Sequence, residues 1–331
     1  MIVFGVIGCG CWGPKLIRNL LAGDGAAVKT ACDRRPDRRA EINAVWPSLR
    51  TTAEAADLWR DPEIDAIAIA TPASTHAALA REALLAGKHI LVEKPLAMTA
   101  RETAALLSLA AERRRVMLVD HTFIFSEPVR RLRELVRHDG LGEIAAYEAE
   151  RYSRGFQAPD VNVLWDLAVH DLSILQFLFG WEPRRVAAVA HRMLPQGEPS
   201  EATLSVEFAA GQRAEIRVGW RPEEKKRCTR LIGAQATVLY DDLDPAGSLA
   251  IIPGPPGTET AAAQRRISPV DRAEPLRRVV DHLLECIDGR ATPLAGGSEA
   301  WRISRILEAA ERSLRLAGQP VAIEAATIPE N

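Results

Sequence analysis

Residues 8 to 13, Gly8-Cys9-Gly10-Cys11-Trp12-Gly13, set three glycines at the spacing G-x-G-x-x-G, directly after the apolar run Ile2-Val3-Phe4-Gly5-Val6-Ile7 and directly before a helical pattern. No other stretch restricts the fold as strongly, because strand, tight glycine turn and helix in immediate succession open a doubly wound parallel sheet. The first glycine permits the turn, the second lets an anionic group approach the backbone, and the third lets the helix pack on the strand. The helix N-terminus then favours negative charge. Asp33 stands 20 residues past Gly13, at the end of the second predicted strand, where a carboxylate can accept both hydroxyls of an adenosine ribose. The combination predicts a dinucleotide site drawn from Gly8, Gly10, Cys11, Trp12, Gly13 and Asp33. Asp33 opposes a 2′-phosphate and favours NAD; Arg34 and Arg35 follow at once and would flank such a phosphate, which keeps NADP as the alternative.

From 1 to about 121 the pattern alternates strands near 2–7, 28–32, 65–70, 89–92 and 116–120 with helices near 14–22, 37–45, 74–86 and 99–114. Such alternation means crossover units and a parallel sheet. Asp65-Ala66-Ile67-Ala68-Ile69-Ala70 is nearly all apolar, as a strand covered on both faces requires, and Thr99 with Glu102 has capping-box spacing. After 121 the pattern changes to a helix near 126–138, a strand near 143–153 and a helix near 165–178 that stops at Gly180. Several strands follow between 183 and 252 without helices between them, which predicts a largely antiparallel sheet. Gly254-Pro255-Pro256-Gly257 and the alanines 261–263 mark a loop or insertion, and helices near 273–288 and 299–317 close the chain. The fold class is thus an α/β N-terminal Rossmann domain over 1–121, followed over 122–331 by an α+β substrate-binding and oligomerisation domain.

Composition narrows the function. The 42 basic and 44 acidic side chains nearly cancel, which removes the electrostatic case for nucleic acid or an anionic membrane and points to a small-molecule ligand. No apolar segment approaches the ~20 residues of a membrane helix. Cysteines 9, 11, 32, 228 and 286 are odd in number and show neither a disulfide framework nor metal-ligand spacing, so no metal is expected. With no basic leader before the first strand, these features suit a reducing cytoplasm.

Two motifs go beyond cofactor binding. Glu93-Lys94-Pro95 follows the strand Ile90-Leu91-Val92, at the carboxyl edge where doubly wound sheets bind ligands. Trp165-Asp166-Leu167-Ala168-Val169-His170-Asp171 puts Asp166 and His170 four residues apart on one face of a predicted helix. With Gly5-Val6-Ile7-Gly8-Cys9-Gly10, Ala70-Thr71-Pro72 and His76, the run Ala86 to Leu96, and the closing Gly180, these segments resemble the Gfo/Idh/MocA oxidoreductases in the family's order across 1–180. The resemblance implies a Rossmann domain followed by an open-faced, mainly antiparallel sheet used for homodimer or homotetramer contacts. It implies Thr71, Pro72 and His76 near the nicotinamide side of the cofactor, Glu93 and Lys94 at the nicotinamide and substrate, and Asp166 with His170 on the substrate's other flank. It also implies a cis Lys94-Pro95 bond. Phe125 departs from the polar residue of many relatives, and Ser153-Arg154-Gly155-Phe156-Gln157 fits no assigned pattern; Arg154 reads as a contact for an anionic group or, the preferred reading, as an exposed loop residue.

The reaction implied is hydride transfer between nicotinamide and a secondary alcohol or ketone, with a side chain moving the hydroxyl proton. His170 is assigned as principal acid/base because imidazole titrates near neutrality, Asp166 as its orienting partner or a substrate contact, and Lys94 as the polarising cation; the roles of Lys94 and His170 are exchangeable at this stage. By the same resemblance the substrate is a sugar or nucleotide sugar reacting near C3, with cyclitol dehydrogenase as the alternative. A non-catalytic dinucleotide-binding sensor is the reading from another class, and the presence of Lys94, Asp166 and His170 together weighs against it.

Overall fold

The computed structural model describes residues 1–138, 140–154, 160–221, 223, 225–257, 264–267 and 273–324. In chain order the first elements are β1 (Ile2–Ile7), α1 (Gly13–Leu21), β2 (Ala26–Cys32), α2 (Pro36–Val45), β3 (Arg50–Thr52), α3 (Ala56–Arg60), β4 (Ala66–Ile69), α4 (His76–Leu85), β5 (His89–Glu93), α5 (Ala100–Glu112) and β6 (Met117–Asp120). There follow α6 (Glu127–Arg137), β7 (Ile144–Ser153), α7 (Val169–Phe179), β8 (Pro183–Met193), β9 (Pro199–Phe208), β10 (Arg213–Trp220), β11 (Lys226–Gly233), β12 (Ala236–Asp241), β13 (Leu249–Pro253) and β14 (Arg265–Ile267). The chain closes with α8 (Pro275–Ile287), α9 (Gly297–Arg315) and β15 (Val321–Ala322).

The chain divides into two compact units. The first holds Met1–Thr122 with Ala273–Ser304; the second holds, among the described residues, Phe123 to Ile267 with Arg305 to Glu324. α8 therefore belongs with the first unit, where the Arg277 guanidinium donates to the carbonyl of Asn19 on α1 at 2.9 Å.

In the first unit six strands run in the order β3-β2-β1-β4-β5-β6, every pair parallel, so the order reverses at β1 and β4 and opens a crevice at their carboxyl ends. The strand Ala66–Ile69 is fully buried, as its uninterrupted apolar sequence requires. Thr99 caps α5, its hydroxyl accepting from the Glu102 N–H at 3.1 Å and donating to the Glu102 carboxylate at 2.9 Å. β3 and α3 escape the sequence pattern, being only three and five residues long.

In the second unit nine strands run β14-β13-β12-β11-β7-β10-β9-β8-β15, antiparallel except for the β7–β10 pair. Buried Ala214, Ile216 and Val218 alternate with Arg213, Glu215 and Arg217 on β10, which gives the sheet one apolar and one polar face. The helix expected near 165–178 divides into a π turn, Leu164–Ala168, and α7, which ends at Gly180 with φ +61°. The wide turn places Asp166 off the regular α-helical ladder that begins at Val169, so the simple four-residue face read from the sequence does not describe this stretch. A turn at Gly254 to Gly257 follows β13, whereas residues 155–157 and 261–263 lie outside the described residues. Arg154 is exposed. All five cysteines carry free thiols, and among the described residues no helix is long and apolar enough to cross a membrane.

Candidate active site

The glycine loop shows three different steric demands. Gly8 has φ +95°, and a Cβ there would lie 2.5 Å from the Ala70 carbonyl; a Cβ on Gly13 would lie 2.0 Å from the carbonyl of Gly8. Neither site has room for a side chain. A Cβ on Gly10, by contrast, meets nothing within 4 Å, so the middle glycine faces open space ahead of the N-terminus of α1. A cradle of backbone amides with an open centre and no capping side chain suits a pyrophosphate. Cys11 and Trp12 are exposed at its rim, and Lys15 Nζ lies 3.9 Å over the Trp12 ring.

Asp33 follows β2, and its carboxylate accepts from the Cys9 N–H at 2.8 Å and the Arg35 N–H at 2.9 Å. It is thereby fixed beside the glycine loop, with lone pairs left for ribose hydroxyls. Arg34 is exposed next to it, while Arg35 pairs with Asp37 and Arg39 donates to the Asp33 carbonyl at 2.6 Å. The loop and Asp33 together fit a dinucleotide.

Thr71 and Pro72 follow β4 at the crevice. His76 opens α4, buried, with Nδ1 2.7 Å from the Pro95 carbonyl and Nε2 2.8 Å from the Thr71 carbonyl. The imidazole thus ties the loop after β4 to the loop after β5, a role in which its two nitrogens face backbone. Lys94 stands half-buried at the end of β5, and the Lys94-Pro95 bond is cis.

Beside Lys94 in the chain, Glu93 of the sequence motif has a partner that the motifs did not announce. Glu93 and Asp120 occupy paired positions at the carboxyl ends of β5 and β6, and both are buried. Burial, then the neighbouring Asp120, holds the Glu93 carboxyl well above the usual carboxylate range; burial raises Asp120 as well, against a 2.6 Å hydrogen bond from the Thr122 hydroxyl. His121, next in the chain, is buried, and burial together with the Lys94 charge pushes its imidazole down to about 3. Glu93 stands in the sequence motif, whereas position alone marked Asp120 and His121, which end their strand as Glu93-Lys94 ends the neighbouring one.

In the second unit, Asp166 is buried within the π turn and accepts from the Trp220 indole N–H of β10 at 2.8 Å. His170, half-buried in the first turn of α7, meets the Phe123 ring edge-on, with centroids 4.8 Å apart and planes at 73°. Phe125 is buried. The turn carrying His170 is held by its neighbour: Asp171 accepts from Arg151 at 2.7 and 3.2 Å and from the Tyr147 hydroxyl at 2.9 Å, all within the covered face of the sheet. Burial works against the Arg151 charge, yet Asp171 outweighs it and raises the guanidinium further. The Arg151 guanidinium also lies 4.4 Å from the Phe123 ring centroid. Asp171 sat in the sequence motif beside His170, but its partners on β7 are separated from it by 20 and 24 residues. Among the described residues no cluster of three or more His, Cys, Asp or Glu could hold a metal.

Known proteins are similar to this chain in sequence and fold. Residues 2–121 match the model of the GFO/IDH/MocA oxidoreductase family, NAD-binding Rossmann fold, and 129–239 match that family's C-terminal domain model. The UDP-N-acetylglucosamine 3-dehydrogenase of Acidithiobacillus ferrooxidans is 36% identical over 158 residues, 47% of this chain and 48% of that protein, so the alignment spans about half of the relative's length. A solved structure of that enzyme superposes with a TM-score of 0.82 at 26% identity, covering 96% of this chain and 99% of the other. The dTDP-3,4-didehydro-2,6-dideoxy-alpha-D-glucose 3-reductase of Streptomyces violaceoruber is 27% identical over 277 residues, 77% of this chain and 78% of that protein. With both halves of the family pattern matched in order over a six-stranded parallel sheet and an open-faced second sheet, the chain belongs to the GFO/IDH/MocA oxidoreductase family, with an NAD-binding Rossmann domain.

Proposed function

We propose that this protein is an NAD-dependent dehydrogenase or ketoreductase for a secondary alcohol or ketone of a sugar or nucleotide sugar, reacting at C3. The observation that carries the reading is the open space at Gly10 before α1 with Asp33 fixed beside it, in a chain that also holds Lys94, Asp166 and His170. The choice of C3 is supported by the two relatives above, named for a 3-dehydrogenase and a 3-reductase.

In this reading residues 1–121 hold the cofactor and 122–331 provide the substrate and subunit contacts. Gly8 to Gly13 receive the pyrophosphate, Asp33 the adenosine ribose with Arg34 at its edge, and Thr71, Pro72, His76, Glu93 and Lys94 shape the nicotinamide end. NAD held by these residues would supply the hydride acceptor or donor. Lys94 polarises the reacting oxygen and His170 takes or gives its proton, held in orientation by Phe123 and the Asp171 clamp. Asp166, anchored by Trp220, binds a neighbouring hydroxyl or orients His170. Assembly through the open sheet face, into a dimer or tetramer, completes the proposal; its polar side chains are arranged in opposite-sign pairs such as Arg230–Glu148.

The test is a screen of nucleotide sugars and cyclitols with NAD and NADP, read at the absorbance of the reduced nicotinamide, followed by Lys94→Ala and His170→Ala on the best substrate. Each substitution is expected to keep NADH binding and to lower turnover by about 10²–10⁴-fold. Activity that survives both substitutions refutes the assigned roles. Turnover of cyclitols alone corrects the substrate class, and NADH binding without turnover of any compound establishes a sensor instead.

A further inference from the structure

Glu93 and Asp120 face each other on the last strand pair of the parallel sheet, 6% and 2% exposed. Glu93 Oε1 and Asp120 Oδ2 are buried, meet no N–H or O–H donor, and belong to side chains at paired positions of neighbouring parallel strands. Two buried carboxylate oxygens so placed have no donor to satisfy them unless one of the carboxyls carries a proton. Charge balance demands the same proton. Lys94 supplies one positive charge to the cluster; two ionised carboxylates would leave one negative charge buried and uncompensated, whereas one proton on the pair makes the cluster neutral.

We propose that Glu93 and Asp120 share a single proton, and that the one negative charge left on the pair is the counter-charge that positions the Lys94 ammonium. The inference rests on the reading of Lys94 as the residue that meets the reacting oxygen. The two carboxyls are not equivalent. Asp120 Oδ1 already accepts from the Thr122 hydroxyl at 2.6 Å, so Asp120 is the member prepared to carry the charge and Glu93 the member that carries the proton. His121 adds no competing charge, because its ring nitrogens are buried without partners and the imidazole stays neutral. Glu93 and Asp120 are therefore positioning residues acting through Lys94.

Infrared difference spectroscopy tests the proton directly. Wild type minus Glu93→Gln at pH 7 is expected to show a protonated-carboxyl C=O band that shifts on exchange into D2O, and wild type alone is expected to show the same isotope-sensitive band if the variant does not fold. Kinetics test the asymmetry. Asp120→Asn removes the charge and is expected to lower kcat on the order of 10²-fold with NADH affinity kept, the low end for loss of a positioned acid or base. Glu93→Gln keeps a donor toward Asp120 and is expected to lose about tenfold less than Asp120→Asn. The absence of any protonated-carboxyl band, or a larger kcat loss in Glu93→Gln than in Asp120→Asn, overturns the proposal. Because the infrared readout needs no substrate, failure of the sugar dehydrogenase reading leaves it intact, and an enzyme that turns over without the band refutes the shared proton alone.

Discussion

The indole N–H of Trp220 donates to the Asp166 carboxylate at 2.8 Å, joining the last residue of β10 to the π turn that precedes α7. Trp220→Phe keeps an aromatic ring there and removes the donor. A hydrogen bond to a charged group contributes about 1.5–3 kcal/mol, so the freed carboxylate is expected to raise KM for the substrate about tenfold or more. NADH affinity, read by titration calorimetry, should stay at the wild-type value, since neither residue belongs to the unit that carries the glycine loop. A change confined to NADH binding would contradict the placement of Asp166 on the substrate side.

The three glycines of the loop should respond differently to the same methyl group. Gly10→Ala meets no atom within 4 Å and is expected to leave Tm unchanged while weakening NADH binding, because the new methyl occupies the space meant for pyrophosphate. Gly13→Ala puts its Cβ 2.0 Å from the Gly8 carbonyl and should lower stability by several kcal/mol, on the order of a severe backbone clash. Thermal melts with and without NADH distinguish the two. Equal melting losses in both variants would show that the middle glycine is structural.

Asp33 links cofactor choice to loop geometry. Asp33→Ser removes the charge that opposes a 2′-phosphate, leaving Arg34 beside the vacated position, and should raise NADP affinity relative to NAD. It also removes the acceptor for the Cys9 N–H, so absolute NAD affinity should fall more than the loss of ribose contacts alone implies. Asp33→Asn keeps that acceptor and is expected to bind NAD between wild type and Asp33→Ser. Unchanged affinity ratios in both variants would remove Asp33 from the ribose site.

The first sheet was legible because its signals are local. Strand Ala66–Ile69 is apolar throughout, the Thr99 cap lies three residues from Glu102, and the glycine loop sits between adjacent elements. The site's supports were not legible because they are made at a distance. Arg151 reaches Asp171 across 20 residues, Trp220 reaches Asp166 across 54, and Asp120 meets Glu93 only through parallel pairing of β5 and β6. The π turn was missed for another reason: one extra residue per turn leaves the spacing of Asp166 and His170 unchanged in sequence while altering the direction of their side chains.

His121 makes stability depend on pH with a definite sign. Its imidazole is fully buried and pushed down to about 3, chiefly by burial and then by the Lys94 charge, against an ordinary value of 6.5 in the unfolded chain. Above pH 6.5 neither state is protonated and the residue costs nothing. As pH falls from 6.5 toward 3, the unfolded chain binds a proton that the folded chain refuses, so stability present above 6.5 is lost at about 1.4 kcal/mol per pH unit. Glu93 and Asp120 act oppositely, since their raised folded values remove stability as pH climbs above the ordinary carboxylate range. The two effects separate by substitution. His121→Leu abolishes only the first, so the stability of His121→Leu relative to wild type should grow by about 2 kcal/mol between pH 7 and pH 5, as measured by urea unfolding. The comparison is a difference of differences, so any constant packing cost of leucine cancels. A relative stability that stays flat across that interval would mean that His121 takes up its proton as readily in the folded protein as in the unfolded chain, and would remove the buried neutral imidazole from the surroundings of Lys94.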